Sequence, residues 1–249
     1  MSNSVRAGIA LSCRLDSGCA DTMSHPRLAV FDVDGTLVDS ERNIVAAMEA
    51  AWASVGLGAP RPEAVRRIIG LSLGEACAAL LPLAPPATHR AMADAFVDAF
   101  RDLRQRPDTL EPLFPGVAGA LDRLEDAGWL LGIATGKSRR GVGSVLDGHG
   151  LAGRFVTVQT ADDNPGKPNP TMLLRAAAEA GAEPAATVMI GDTAYDMAMA
   201  GAAGTLAVGV AWGYHGIDEL RSAGATAVID SFDDLGDILT DLTRAPPCG

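Results

Sequence analysis

No apolar run in this 249-residue chain approaches the length of a membrane-spanning helix. Basic stretches are equally scarce. The net charge is −11, and the only local concentrations of arginine, Arg61/Arg66/Arg67 and Arg139/Arg140, are short. No stripe exists to neutralise nucleic-acid phosphates, which excludes that class of partner. The four cysteines (Cys13, Cys19, Cys77, Cys248) lack metal-ligand spacing and read as free thiols of a reducing cytoplasm. His25, His89, His149 and His215 have no nucleophile or ligand pattern around them and read as structural or solvated. Residues 1–25 match neither a core nor a secretory signal: Ala7–Leu11 is short, and Arg14 and Asp16 soon interrupt it. They are expected to be a disordered extension ahead of Met23, and the tail 245–249 is equally uninformative. The full chain is 48% hydrophobic and 20% charged, ordinary for a globular domain with a full core. The length suits one sizeable domain or one domain carrying a smaller insert.

The most informative segment is Leu28–Ser40, LAVFDVDGTLVDS. Its four leading apolar residues read as a strand buried on both faces, as in a parallel sheet covered by helices. Asp32 and Asp34 would then sit at the carboxyl end of that strand, where such sheets gather ligands. Two acids so placed repel each other and lose hydration. A divalent cation relieves both, and Mg²⁺ prefers oxygen ligands. Asp34-Gly35 is also a strong turn signal, so the segment alone is equally compatible with a simple corner.

Beyond Ser40 the pattern is helical over residues 41–111, with segments at 41–55, 62–69, 73–81 and 88–106 and no convincing strand. Pro112–Gly116 marks a boundary, after which helix and strand alternate. Strands are expected at 129–134, 154–159, 187–190, 206–210 and 227–229, and helices at 117–127, 138–149, 171–180, 217–222 and 232–242. This is the pattern of a doubly wound, Rossmann-like α/β sheet. The expected organisation is a core of residues 26–40 and 112–244 interrupted by an all-helical insert at 41–111.

Polar residues recur at the expected strand ends. Thr135-Gly136 leads directly into a helix, with Ser138 as its N-cap; free amides and a hydroxyl there suit an anion, although an ordinary strand-to-helix turn looks the same. Lys167 lies in Gly166-Lys167-Pro168-Asn169-Pro170, a stiff loop in which Asn169 is the expected N-cap of the next helix. By itself it reads as an ordinary surface lysine. Gly191-Asp192-Thr193-Ala194-Tyr195-Asp196 puts one acid at a strand end and another a helical turn later; capping by acids explains one of them more easily than both. Trp212–Gly216 follows a strand and is a candidate for the edge of the site. Arg66 and Arg67 are candidates to reach over it, though a solvated helix face is the competing reading.

Taken in order, Asp-x-Asp, Thr-Gly, Lys-Pro and Gly-Asp-Thr-x-x-Asp, each at its own strand end, resemble the haloacid dehalogenase superfamily of phosphohydrolases. The likeness runs from Arg27 to Leu242. Phe31–Ser40, Ala134–Ser138 and Thr160–Asp163 look like phosphoglycolate phosphatase relatives, and the insert looks like a cap domain. The resemblance implies a Mg²⁺-dependent phosphatase acting on a small phosphorylated metabolite, phosphoglycolate-like, through an aspartyl-phosphate. It implies Asp32 as nucleophile and Asp34 as acid/base. Asp32, the Asp34 backbone carbonyl and Asp192 would hold the metal, with Thr135, Gly136 and Lys167 on the phosphoryl oxygens. Lys167 would also orient Asp32, Asp196 would support, and Gly35 would permit the turn that moves with the cap. A sugar-phosphate mutase, a pyrophosphatase and a non-enzymatic binding module are the alternatives. A dehalogenase is disfavoured because it needs neither Asp34 nor a metal. A monomer and a homodimer are equally compatible with the sequence.

Overall fold

The computed structural model of the chain describes residues 26–104, 106 and 111–243. The expected extension at 1–25 with Cys13, Cys19 and His25, and the tail with Cys248, lie outside the described residues. Six strands form one all-parallel sheet: β1 Arg27–Phe31, β2 Trp129–Thr135, β3 Thr157–Thr160, β4 Thr187–Gly191, β5 Leu206–Val210 and β6 Ala227–Ile229. Their order is β3-β2-β1-β4-β5-β6. The chain winds outward from β1 to β3, then returns to place β4 on the other side of β1. The carboxyl ends of β1 and β4 therefore flank a topological switch point, where doubly wound sheets leave a crevice.

Strand β1 shows why the apolar run needs no alternation. Ala29 and Phe31 enter one core, with α5 Val117–Asp126, α6 Arg139–Gly148 and α10 Leu235–Thr243. Leu28 and Val30 enter the other, with α7 Thr171–Ala180, α8 Ala194–Ala203 and α9 Ile217–Ser222. Both faces are dry, so polar residues are tolerated only past the strand end.

Between β1 and α5 lie α1 Glu41–Ser54, α2 Pro62–Arg66, α3 Leu73–Leu80 and α4 Pro86–Arg104. They bury a third cluster of their own, built on Ile44, Met48, Val65, Cys77, Met92 and Phe100. Several boundaries differ from the sequence reading. The second helix ends at Arg66 rather than Ile69, because the chain turns toward Gly70 (φ +97°). Helix α4 starts two residues early, at Pro86, since a proline suits a first helical turn. Strand β3 starts at Thr157 rather than Arg154: the Arg154 guanidinium is drawn away to Asp122 (2.7 Å) and Glu125, and pairing with β2 begins at Gly132–Thr157. The segment at 232–242 splits into a 3₁₀ turn, Phe232–Asp234, and α10. Pro170 rather than Asn169 holds the backbone N-cap position of α7, yet Asn169 Oδ1 accepts from the Thr171 N–H at 3.1 Å, one residue further in.

Phe31 is fully buried at the centre of the sheet, in register with Ile133 and Ile190. Phe31→Ala is expected to cost about 3–5 kcal/mol. Urea melts check this, and a loss near zero would contradict the packing described.

Candidate functional site

Asp32 is the first residue past β1, its N–H donating to the Ile190 carbonyl of β4 at 2.9 Å. Its side chain turns back, Oδ1 accepting from the Val33 N–H at 2.7 Å. The Asp-Gly turn also forms, as the N–H groups of Leu37 and Val38 both reach the Val33 carbonyl. It leads into α1 instead of a hairpin. Gly35 has φ +84°, and a Cβ there would collide with the Asp192 carboxylate and the Tyr214 ring. Only glycine satisfies both demands.

The other strand ends close around Asp32. Lys167 is fully buried, its Nζ 2.6 Å from Asp196 Oδ1 and 2.8 Å from Asp32 Oδ2. The second contact is an ion pair without hydrogen-bond alignment, so Asp32 Oδ2 has no hydrogen-bond partner. Asp192 accepts from the Thr36 hydroxyl and from the Tyr214 N–H, each at 2.9 Å. Asp196 does two jobs: Oδ2 accepts from Thr193 in the capping box of α8, and Oδ1 holds Lys167. One oxygen from each of Asp32, Asp192 and Asp196 lies within 4.8 Å of the others, all buried.

Three buried carboxylates thus face one buried ammonium. Burial pushes Asp32 up to about 6, despite the opposing pull of Lys167. Asp192 rises well above the usual carboxylate range, through burial first and then Asp196 and Asp32. Lys167 loses stability as a cation through burial, but Asp196 and Asp32 outweigh that and keep it charged. A hard divalent cation fits this donor set: it would meet oxygen donors only, and Asp32 Oδ2 is uncommitted. Asp192 and Asp32 are the better placed ligands, because Asp196 is spent on Lys167 and Thr193.

Thr135 is buried at the end of β2, and its Oγ1 accepts from the Lys137 N–H at 3.2 Å. Ser138 caps α6, as expected, by accepting from the Gly141 N–H at 3.2 Å. Gly136 stands where the insert meets the core: a Cβ there would lie 2.5 Å from the Leu71 carbonyl oxygen.

Sequence reasoning missed a second charge network. Lys137 Nζ lies 2.6 Å from Asp34 Oδ1 and 3.5 Å from Glu111 Oε1, and Glu111 Oε2 lies 3.5 Å from Arg104. Lys137 is in the Thr-Gly-Lys-Ser run, but at a helix start a lysine looks solvated. Glu111 sits at the insert boundary, where no pattern marks it. Thr36, next to the Asp-x-Asp motif, is also a site residue. Arg66 and Arg67 do not reach over the site. Arg66 pairs with Glu41 (2.5 Å) inside the insert, and Arg67 pairs with Glu219 (2.8 Å) on the core. The Trp212–Gly216 loop does edge the site, through the Tyr214 N–H and through Trp212 Nε1, which donates to the Thr36 carbonyl. His215 is buried and structural: burial lowers its pKa, and Nδ1 accepts from the Ala194 N–H.

A cavity of about 580 Å³ joins Asp32, Asp34 and Thr135 to the inner face of the insert. No helix among the described residues is long and apolar enough to cross a membrane.

Residues 29–210 match the family model described as haloacid dehalogenase-like hydrolase. The chain is 37% identical over 214 residues to a probable phosphatase, IndB, of Dickeya dadantii, covering 84% of this chain and 91% of that protein. It is 31% identical over 225 residues to a phosphoglycolate phosphatase of Vibrio vulnificus, covering 88% and 98%. A solved hydrolase structure from Pseudomonas syringae superposes with a TM-score of 0.76 at 27% identity, covering 86% and 98%.

Mg²⁺ is expected to raise the melting temperature at pH 7.5 in proportion to the logarithm of its concentration above the dissociation constant, EDTA to reverse the rise, and Asp192→Asn to abolish it. A concentration about 100 times the dissociation constant corresponds to about 2.7 kcal/mol. Because Asp32 titrates near 6, protons compete with the metal below that pH, so the rise shrinks at pH 5.5. Scanning fluorimetry checks each point; a rise that survives in Asp192→Asn would place the metal elsewhere.

Proposed function

The chain belongs to the haloacid dehalogenase-like hydrolase family, and we propose that within it this protein is a Mg²⁺-dependent phosphatase that hydrolyses a small phosphorylated metabolite through an aspartyl-phosphate. The observation that carries this reading is Asp32, a buried carboxylate on the cavity wall with one oxygen anchored by the Val33 N–H and the other beside Lys167. When bound, Mg²⁺ supplies charge neutralisation that lets one anion approach another. The Asp32 and Asp192 carboxylates and the Asp34 backbone carbonyl are the proposed ligands.

The side chains divide the remaining work. Lys167 has three N–H donors, of which Asp196 takes one by hydrogen bond and a second is drawn toward Asp32 by charge alone. The third, with the Thr135 hydroxyl and the Gly136 amide, serves the phosphoryl oxygens. An Asp32 oxygen bonds to phosphorus as the bond from phosphorus to the substrate alcohol breaks. Asp34 delivers its proton to the departing alkoxide. A water then gives its proton to Asp34 and attacks phosphorus, the Asp32–phosphorus bond breaks, and inorganic phosphate leaves. Asp34 starts out as a carboxylate ion-paired to Lys137, so it must leave Lys137 and take up a proton from solvent as substrate enters before it can serve as the acid. Arg67–Glu219 and the Tyr195 hydroxyl donating to the Arg67 carbonyl (3.1 Å) join the helical insert, read as a cap, to the core. We place the enzyme in the cytoplasm, from its scattered cysteines. Relatives named phosphoglycolate phosphatase make 2-phosphoglycolate the first ester to try.

Phosphate release from a panel of phosphomonoesters, with Mg²⁺ or EDTA, tests the reading. Asp32→Asn is expected to abolish release while the protein stays folded, and Asp34→Asn to lower kcat by about 10²–10⁴. Release by Asp32→Asn at near the native rate would overturn the mechanism.

A further inference from the structure

The cavity at the site is large although the insert is shut upon the core. Gly136 touches the Leu71 carbonyl, Arg67 pairs with Glu219, and a Cβ on Gly166 would run into the Glu75 carboxylate. The 580 Å³ is therefore space left between insert and core even with these contacts made, and it stays partly open to solvent along its α6 side. Enclosures of about 300–1,000 Å³ hold drug-sized ligands, far bigger than a two-carbon acid.

Part of the insert's side of the cavity is apolar, beside the Arg104 and Lys137 cations that lie 4.7 and 5.2 Å from the centroid of the Phe100 ring. Met48, Leu71, Phe96 and Phe100 line it, and the two phenyl rings stack with centroids 5.5 Å apart. The lysines nearest Asp32 and Asp34 already face acids: Lys167 faces Asp32 and Asp196, and Lys137, once it has released Asp34, still faces Glu111. A carboxylate one carbon from the phosphate would compete with these acids and leave the aromatic wall in contact with water. On the α6 side the exposed Ser144 and Arg140 share one helical face along the cavity, and Arg140 is free to meet an acceptor group at the far edge of a larger substrate.

We propose that the phosphomonoester recognised here carries a ring-bearing, largely apolar alcohol rather than a two-carbon acid, with Phe96 and Phe100 forming the surface against which the ring packs. This rests on the phosphatase reading above. Burying a ring on that wall is worth roughly tenfold to a hundredfold in affinity.

The test separates binding from turnover. Calorimetry on the full-length Asp32→Asn protein with Mg²⁺ would compare benzyl phosphate, 2-phenylethyl phosphate and 2-phosphoglycolate. At least one ring-bearing ester is expected to bind about tenfold or more tighter than 2-phosphoglycolate. Adding Ser144→Phe, which fills the cavity from an exposed position, or Phe96→Ala, which removes the wall, should weaken that ester about tenfold and leave 2-phosphoglycolate within about twofold. Equal or tighter binding of 2-phosphoglycolate, no binding of either ring-bearing ester, or parallel loss of all ligands in the variants overturns the inference. Native turnover is measured beside it. Selective ring binding with no phosphate release from any ester sinks the phosphatase reading but keeps the ligand class; release that favours 2-phosphoglycolate does the reverse.

Discussion

Lys167 holds the centre of this molecule together. Its ammonium lies in full burial between Asp32, at the end of β1, and Asp196, in the first turn of α8 after β4. Breaking such a pair by removing one partner leaves an uncompensated buried charge, a loss of about 3–5 kcal/mol. The loop that carries Lys167 is therefore fixed against both strands, and the crevice at the switch point keeps its shape. The compensation is incomplete, since the third carboxylate, Asp192, is satisfied only by the Thr36 hydroxyl and the Tyr214 amide. That residual imbalance suits the place for a hard cation. It also explains the crowding of glycine: Gly35 and Gly213 both approach Asp192 too closely to carry a side chain.

The second network repeats the design on a smaller scale. Lys137 links Asp34 to Glu111, and Glu111 links to Arg104 at the end of α4. Lys137 Nζ also lies 5.2 Å from the centroid of Phe100, a residue of the helical insert's own core. The proposed acid/base is thus wired, through one cation, to the boundary where the insert leaves the sheet. Motion of α4 relative to the core would disturb the partner of Asp34 directly, without any long pathway.

Much of this was legible in the chain itself. The strand positions β1, β2, β4, β5 and β6 follow from apolar runs of four or more residues or from their place between turns and helices. The motif residues Asp32, Asp34, Thr135, Gly136 and Asp192 follow strand ends for the same reason, whereas Lys167 comes from the middle of the loop between β3 and α7 and Asp196 from the first turn of α8. Harder to read were Lys137, Glu111 and Thr36, because their importance lies in partners far away in sequence: Thr36 and Asp192 are 156 residues apart, and Lys137 and Asp34 are 103. Arg66 and Arg67 illustrate the opposite error. A cluster of arginine looks like an anion clamp until Glu41 and Glu219 are found to occupy it.

Local periodicity and the chemistry of strand ends determined the parallel sheet, the helical insert and the inventory of polar groups, because these depend on neighbours within a few residues. Tertiary structure alone decided which groups meet. Three carboxylates around one lysine, Lys137 on Asp34, and the Phe100 ring beside Lys137 arise only when β1 and β4 lie side by side and the insert folds back over both. Their charges and contacts are properties of that juxtaposition, and no segment of the chain carries them alone.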